Sequence, residues 1–240
     1  MAADAKAAGR RRRHTTGEAT RELLMTTAER LFAVRGVEGV TLREIQVEAG
    51  QSNSSVITYH FGSKAGLVRD LISFRYRTID ARRAVLLEEA RAHGGSDDPL
   101  AAVWLIVRPL VESIEAGEMF VPFLARLAPA SADAEYWPRR IEDATDVLKE
   151  LVPDLLGDLP DRARRGREVQ LYNSVLNLLG DHARSRQRIS EAQLNNYIDG
   201  WVGMLTAPVS SATSALMEAE ARARKGADTT NADGNGRLSA

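Results

Sequence analysis

The chain has 240 residues, of which 44% are hydrophobic and 27% charged, and it contains no cysteine. That length buries the core of one large or two small domains, and two is the reading the pattern favours. The missing cysteines exclude disulfides and thiolate metal sites, and no apolar run approaches the ~20 residues that span a bilayer, so the composition fits a soluble, cytoplasmic protein without membrane contact.

The formal net charge of −1 hides an asymmetry, because residues 1–77 carry 13 Lys+Arg against 8 Asp+Glu while the remainder carries 19 against 25. The basic part is where a polyanion would bind. Residues 1–16 are basic but are not followed by the apolar segment of a secretory signal. They are expected to be a disordered basic tail, and residues 226–240, rich in Gly, Asn, Asp and Thr, a second disordered tail.

Between the tails, apolar residues recur at helical spacing and no useful strand-like alternation occurs, so the fold is read as all-α. A first helix is predicted over 17–35, burying Leu24, Ala28, Leu31 and Phe32, and Gly36 ends it as a left-handed cap. Thr41-Leu42-Arg43-Glu44 is a capping box opening a short second helix, with Leu42, Ile45 and Ala49 facing inward. Gly50 breaks that helix, and Ser52-Asn53-Ser54 offers oxygens to cap a third, whose core candidates are Val56, Ile57 and Phe61. A long fourth helix is predicted over 64–92. Further helices are expected near 98–116, 119–130, 138–151, 161–184 and 190–206, with prolines at or near several starts and Pro109 placed to kink or split the first of them.

Two short helices joined by a glycine-containing turn and braced by a preceding helix make a helix-turn-helix, whose last helix enters the major groove. Asn53, Ser54, Ser55, Thr58, Tyr59 and His60 give the third helix a surface dense in short donors and acceptors, suited to base edges and phosphates. Thr41 and Lys64 sit beside helix N-termini, where free amides favour a phosphate. By composition alone, a Ser/Asn-rich stretch is more often a cap or a loop than a reading head.

The run Thr41-Leu-Arg-Glu-Ile-(x3)-Ala49-Gly50, followed by Tyr59-His60-Phe61-Gly62-Ser63-Lys64-Ala65-Gly66-Leu67, resembles the DNA-binding domain of TetR/AcrR-family repressors over roughly residues 17–70. The resemblance implies a helix-turn-helix domain over 17–63, extending into the start of the fourth helix, and a ligand-binding and dimerisation domain over 64–225. It also implies a homodimer, a palindromic double-stranded operator and a small-molecule effector. By matching positions, Thr41 and Arg43 would hold phosphate, Ser54, Ser55, Thr58 and Tyr59 would lie at the DNA face, and His60 and Lys64 would touch the backbone. The stretch from Gly50 to Lys64 is one residue longer than the usual pattern, and Thr58 stands where tyrosine is commonest, so the base-reading register is open by one place.

In the second domain, the family pattern puts the dimer contact on the last two long helices. Tyr172, Leu176 and Leu179 on one, and Leu194, Ile198, Trp201, Val202 and Leu205 on the other, form wide apolar arcs suited either to a partner subunit or to burial within one subunit. Trp104, Phe120, Phe123, Tyr172 and Asn173 are the candidates to line a cavity for a largely apolar effector, the alternative being ordinary core. Met119, Tyr136 and Trp137 add to the same aromatic and sulfur-rich region. Arg10 to Arg13 either follow a minor groove or stay solvated. No phosphate-cradling glycine loop, His-Glu-x-x-His motif or metal-like histidine spacing occurs, so neither an enzyme nor a cofactor is expected. The rival reading is a helical ligand-binding or interaction protein without sequence-specific DNA binding.

Overall fold

The computed structural model describes residues 2–92, 98–127 and 159–234, and these form helices and connections with no strand among them. In chain order the helices are α1 (Ala2–Arg35), α2 (Leu42–Glu48), α3 (Val56–Phe61), α4 (Lys64–Ala92), α5 (Pro99–Glu115), α6 (Phe120–Arg126), α7 (Asp161–Arg184), α8 (Glu191–Thr206) and α9 (Ser211–Gly234). The helix expected over 138–151, with Tyr136 and Trp137, lies outside the described residues.

Local chemistry accounts for most boundaries. Gly36 ends α1 at φ +73, and its amide donates to the Phe32 carbonyl at 2.8 Å. The Asp98 carboxylate accepts from the Leu100 amide at 3.0 Å ahead of Pro99, and the Ser190 hydroxyl accepts from the Gln193 amide at 3.2 Å, starting α5 and α8.

Helix α1 starts at Ala2, inside the segment 1–16 read as a tail, whose run of Ala, Lys and Arg has high intrinsic helix propensity. For the same reason α9, rich in Ala, Glu and Arg, forms beyond residue 206 and runs to Gly234, into the tail expected from 226. Helix α5 is not split at Pro109, which sits buried inside one continuous helix.

A single hydrophobic cluster runs through both halves of the molecule, from Leu24, Phe32 and Ile45 to Leu179, Ile198 and Leu205. Helix α1 packs on α2, α4 and α6, so the first helix belongs to the core of both halves. An aromatic series crosses the joint: Phe32 of α1 meets Phe123 of α6 at 5.9 Å between ring centroids, Phe123 meets Phe120 at 6.2 Å, and Phe120 takes the edge of Tyr76 of α4 at 5.6 Å.

Candidate nucleic-acid interface

Helix α2 begins with the complete capping box. The Thr41 hydroxyl accepts from the Glu44 amide at 3.2 Å, and the Thr41 amide donates to Glu44 Oε2 at 2.7 Å. These bonds and Arg35, whose Nη2 lies 2.7 Å from Glu44 Oε1, hold the Glu44 carboxyl down to about 2. Arg43 follows on the exposed side of the helix.

Helix α3 divides cleanly into two faces. Val56, Ile57 and Phe61 are buried against the scaffold, whereas Ser54, Ser55, Thr58 and Tyr59 are exposed, Tyr59 to 82%. Both Thr58 and Tyr59 therefore stand at the surface. The Asn53 carbonyl oxygen accepts from the Ser55 amide at 3.0 Å and from its hydroxyl at 2.9 Å, so this side chain first of all shapes the turn into α3. His60 is half-buried, and burial together with the Arg21 charge keeps its ring below the ordinary histidine value. Lys64 is also half-buried, with Nζ 3.9 Å from the Glu38 carboxylate.

Contacts distant in sequence hold this face in place, and no sequence pattern announced them. The Arg21 guanidinium lies 5.3 Å from the centroid of the Phe61 ring and donates to Asp70 at 2.6 Å, tying α1 to α3 and α4. At Gly66 the first turn of α4 passes so close to the end of α3 that a β-carbon would run into the Phe61 carbonyl oxygen. An apolar underside held by α1, α2 and α4, with a polar outer face left free of the core, is what a groove-reading helix requires.

Residues 24–71 match the model of the family described as bacterial regulatory proteins, tetR family. The N-terminal domain is a TetR-family DNA-binding domain. The match covers the helix-turn-helix, and over those residues the chain is similar to a family of DNA-binding regulators of transcription. No curated protein is matched by this chain. No helix among the described residues is long and apolar enough to cross a membrane.

In the C-terminal half, the residues expected at a dimer contact are mostly interior. Tyr172, Leu176, Leu179, Leu194, Ile198, Trp201 and Leu205 are all buried within one subunit, and Val202 is half-buried. Their arcs are filled by α5, α6 and each other, and the Trp201 indole donates to the Ser174 hydroxyl at 2.8 Å. What α7 leaves outward is Val169, at 56% exposure, and Leu178, at 36%. Helix α8 presents Gly200 and Gly203, where a β-carbon would meet only open space.

The expected cavity residues also divide. Phe120 and Phe123 are fully buried in the joint between the two halves, where they pack on Phe32 and Tyr76. Trp104 lies at the surface, with Arg108 6.0 Å from its ring centroid, and is not interior. Asn173 is half-buried, and its backbone carbonyl accepts from the Asn177 amide nitrogen at 2.7 Å. Tyr172 alone combines burial with a hydroxyl that has no hydrogen-bond partner among the described residues. A cleft of about 1080 Å³ does open beside Met119, where Arg30, Arg126 and Arg186 meet the α7–α8 turn, but none of the five expected residues lines it.

Proposed function

We propose that this protein is a cytoplasmic homodimeric repressor that grips a palindromic operator with two copies of α3 and lets go when a small molecule occupies its C-terminal domain. The observation that carries the reading is the divided α3, with Val56, Ile57 and Phe61 as anchors and Ser54, Ser55, Thr58 and Tyr59 facing outward. Arg43 and the α2 N-terminus at Thr41 flank that face as phosphate contacts, with His60 and Lys64 at its lower edge. The exposed Leu178 on α7, together with the small, exposed Gly200 and Gly203 on α8, supports a two-fold four-helix contact with a second copy.

Release follows from geometry. Two recognition helices must sit about 34–36 Å apart to enter successive major grooves. Helix α4 joins the halves, and the Phe32–Phe123–Phe120–Tyr76 series links its interior face to α1. An effector that prefers the state with the wrong spacing moves α4 and weakens DNA binding in proportion to that preference. The test is selection of bound duplexes from a random pool by the full chain. An inverted repeat with half-sites about one turn apart is the expected result, and a pool that stays random after repeated rounds contradicts the reading.

A further inference from the structure

Three polar atoms lie buried between α4 and α7 with no hydrogen-bond partner among the described residues: Arg83 Nε, Glu168 Oε1 and Tyr172 Oη. Their residues are 5%, 8% and 9% exposed. Leaving such a group unpaired forfeits its hydration without return, so three together in one interior are unexpected unless something is meant to meet them. Glu168 and Tyr172 are one turn apart on α7 and share a face, as do Tyr76, Asp80 and Arg83 on α4. Asp80 Oδ1 already accepts from Arg83 Nη1 at 2.8 Å, which orients the guanidinium and leaves Nε over.

The two faces sense each other. Burial raises the Tyr172 phenol well above its ordinary value, with the Arg83 charge pulling it back and Tyr76, Glu168 and Asp80 pushing it further up. Burial likewise pushes the Tyr76 phenol to about 12, so both phenols keep their protons at neutral pH. The surroundings are apolar: Ile79, Leu86 and Leu87 on α4, and Leu171 and Val175 on α7, are buried.

The three orphans specify a complement. Arg83 Nε can only donate, an ionised Glu168 can only accept, and the Tyr172 hydroxyl can do either. A carboxylate ligand offers only acceptors and would face Glu168 with like charge. An ammonium offers only donors and would leave Arg83 unmet. We infer that Arg83, Glu168 and Tyr172 form a polar anchor for an uncharged effector whose head group both donates and accepts, a hydroxyl or a primary carboxamide, carried on an apolar body. The inference rests on the regulator reading and specifies its effector. It adds a polar anchor to the largely apolar effector expected from the sequence, and it connects outward through Tyr76, whose ring stands perpendicular to Phe120 of the joint.

The test uses the full chain without DNA and five probes sharing one body: naphthalene, 2-naphthol, 2-naphthamide, 2-naphthoate and 2-naphthylmethylamine. Titration calorimetry at pH 7 is expected to show naphthol and naphthamide binding about tenfold more tightly than the other three, the yield of one or two added hydrogen bonds. The preference should vanish in Glu168→Leu and in Tyr172→Phe. Tyr172→Phe should also leave the melting temperature of the ligand-free protein unchanged or raised, because it removes a buried group that makes no bond. A naphthoate that binds as well as the naphthol, the absence of any head-group preference, or a clear drop in the melting temperature of Tyr172→Phe overturns the proposal. Retention of the selected duplex is measured separately. A protein that holds that duplex yet fails the probe test loses the effector class alone, whereas one that selects no duplex loses the regulator reading.

Discussion

Gly66 shows how one residue sets the position of the reading helix. Helix α4 starts directly under the last turn of α3, and the Phe61 carbonyl occupies the space a side chain would need. Gly66→Ala must therefore push α3 away from α4, and overpacking of this kind costs about 1–3 kcal/mol. Chemical denaturation should show that loss, and a variant as stable as the parent would mean the contact is looser than the coordinates place it. Glu44 carries the acid sensitivity of the same domain. Its carboxyl is held at about 2 by the Thr41 amide, the Thr41 hydroxyl and Arg35, against an ordinary value of 4.5. Because the folded value lies below the unfolded one, its stabilising share is complete above about 4.5 and is lost as pH falls towards about 2. Thermal melts across that window should fall less steeply for Glu44→Gln than for the parent. The capping box was legible in the sequence, since all of its partners lie within four residues. The contact at Gly66 was not, because it depends on how two helices cross.

At the scale of elements, the joint between the halves is fastened by a buried ionic cluster. Arg75 of α4 donates from Nε to Glu29 Oε2 of α1 at 2.5 Å and from Nη1 to Glu118 in the turn before α6. Glu29 Oε1 also accepts from the Met119 amide at 2.9 Å, and the Ser113 hydroxyl donates to Glu118 at 2.6 Å. Burial pushes the Glu29 carboxyl above its ordinary value, and Arg75 pulls it back. Arg75→Met leaves Glu29 buried without its cation and should cost about 3–5 kcal/mol at neutral pH. The deficit should shrink as pH is lowered and Glu29 takes a proton. The double variant Glu29→Met with Arg75→Met should recover much of it in urea denaturation, and a double variant no better than the single one would contradict this account. The helices themselves were readable, α7 and α4 almost to the residue, because long amphipathic segments with capping residues declare their ends. The partners across 46 residues from Glu29 to Arg75 left no periodic trace. Helix α9 and the start of α1 escaped for the opposite reason: propensity builds them without a buried stripe to find.

For the whole molecule, the sequence distinguished a helix-turn-helix half from a second helical half but left open which side of α7 and α8 faces inward. An apolar arc looks the same whether its own domain or a partner covers it, and here Leu176, Leu179, Ile198 and Trp201 close the subunit's core. Val169 and Leu178 stay exposed on opposite sides of α7, and Leu178 is the apolar side chain offered to a second copy. Leu178→Glu should place like charges across a two-fold axis and shift sedimentation from dimer to monomer, with little change in the melting of each subunit. A variant that sediments as the parent does would move the contact elsewhere.

The most direct measurement concerns α3. Anisotropy titration of the selected duplex with the Ser54→Ala, Thr58→Ala, Tyr59→Ala triple variant should show affinity reduced about 100-fold, the loss of contacts worth nearly 3 kcal/mol, with the melting temperature unchanged because none of the three is core. Undiminished affinity in a variant that remains folded would mean that this outward polar face does not meet DNA.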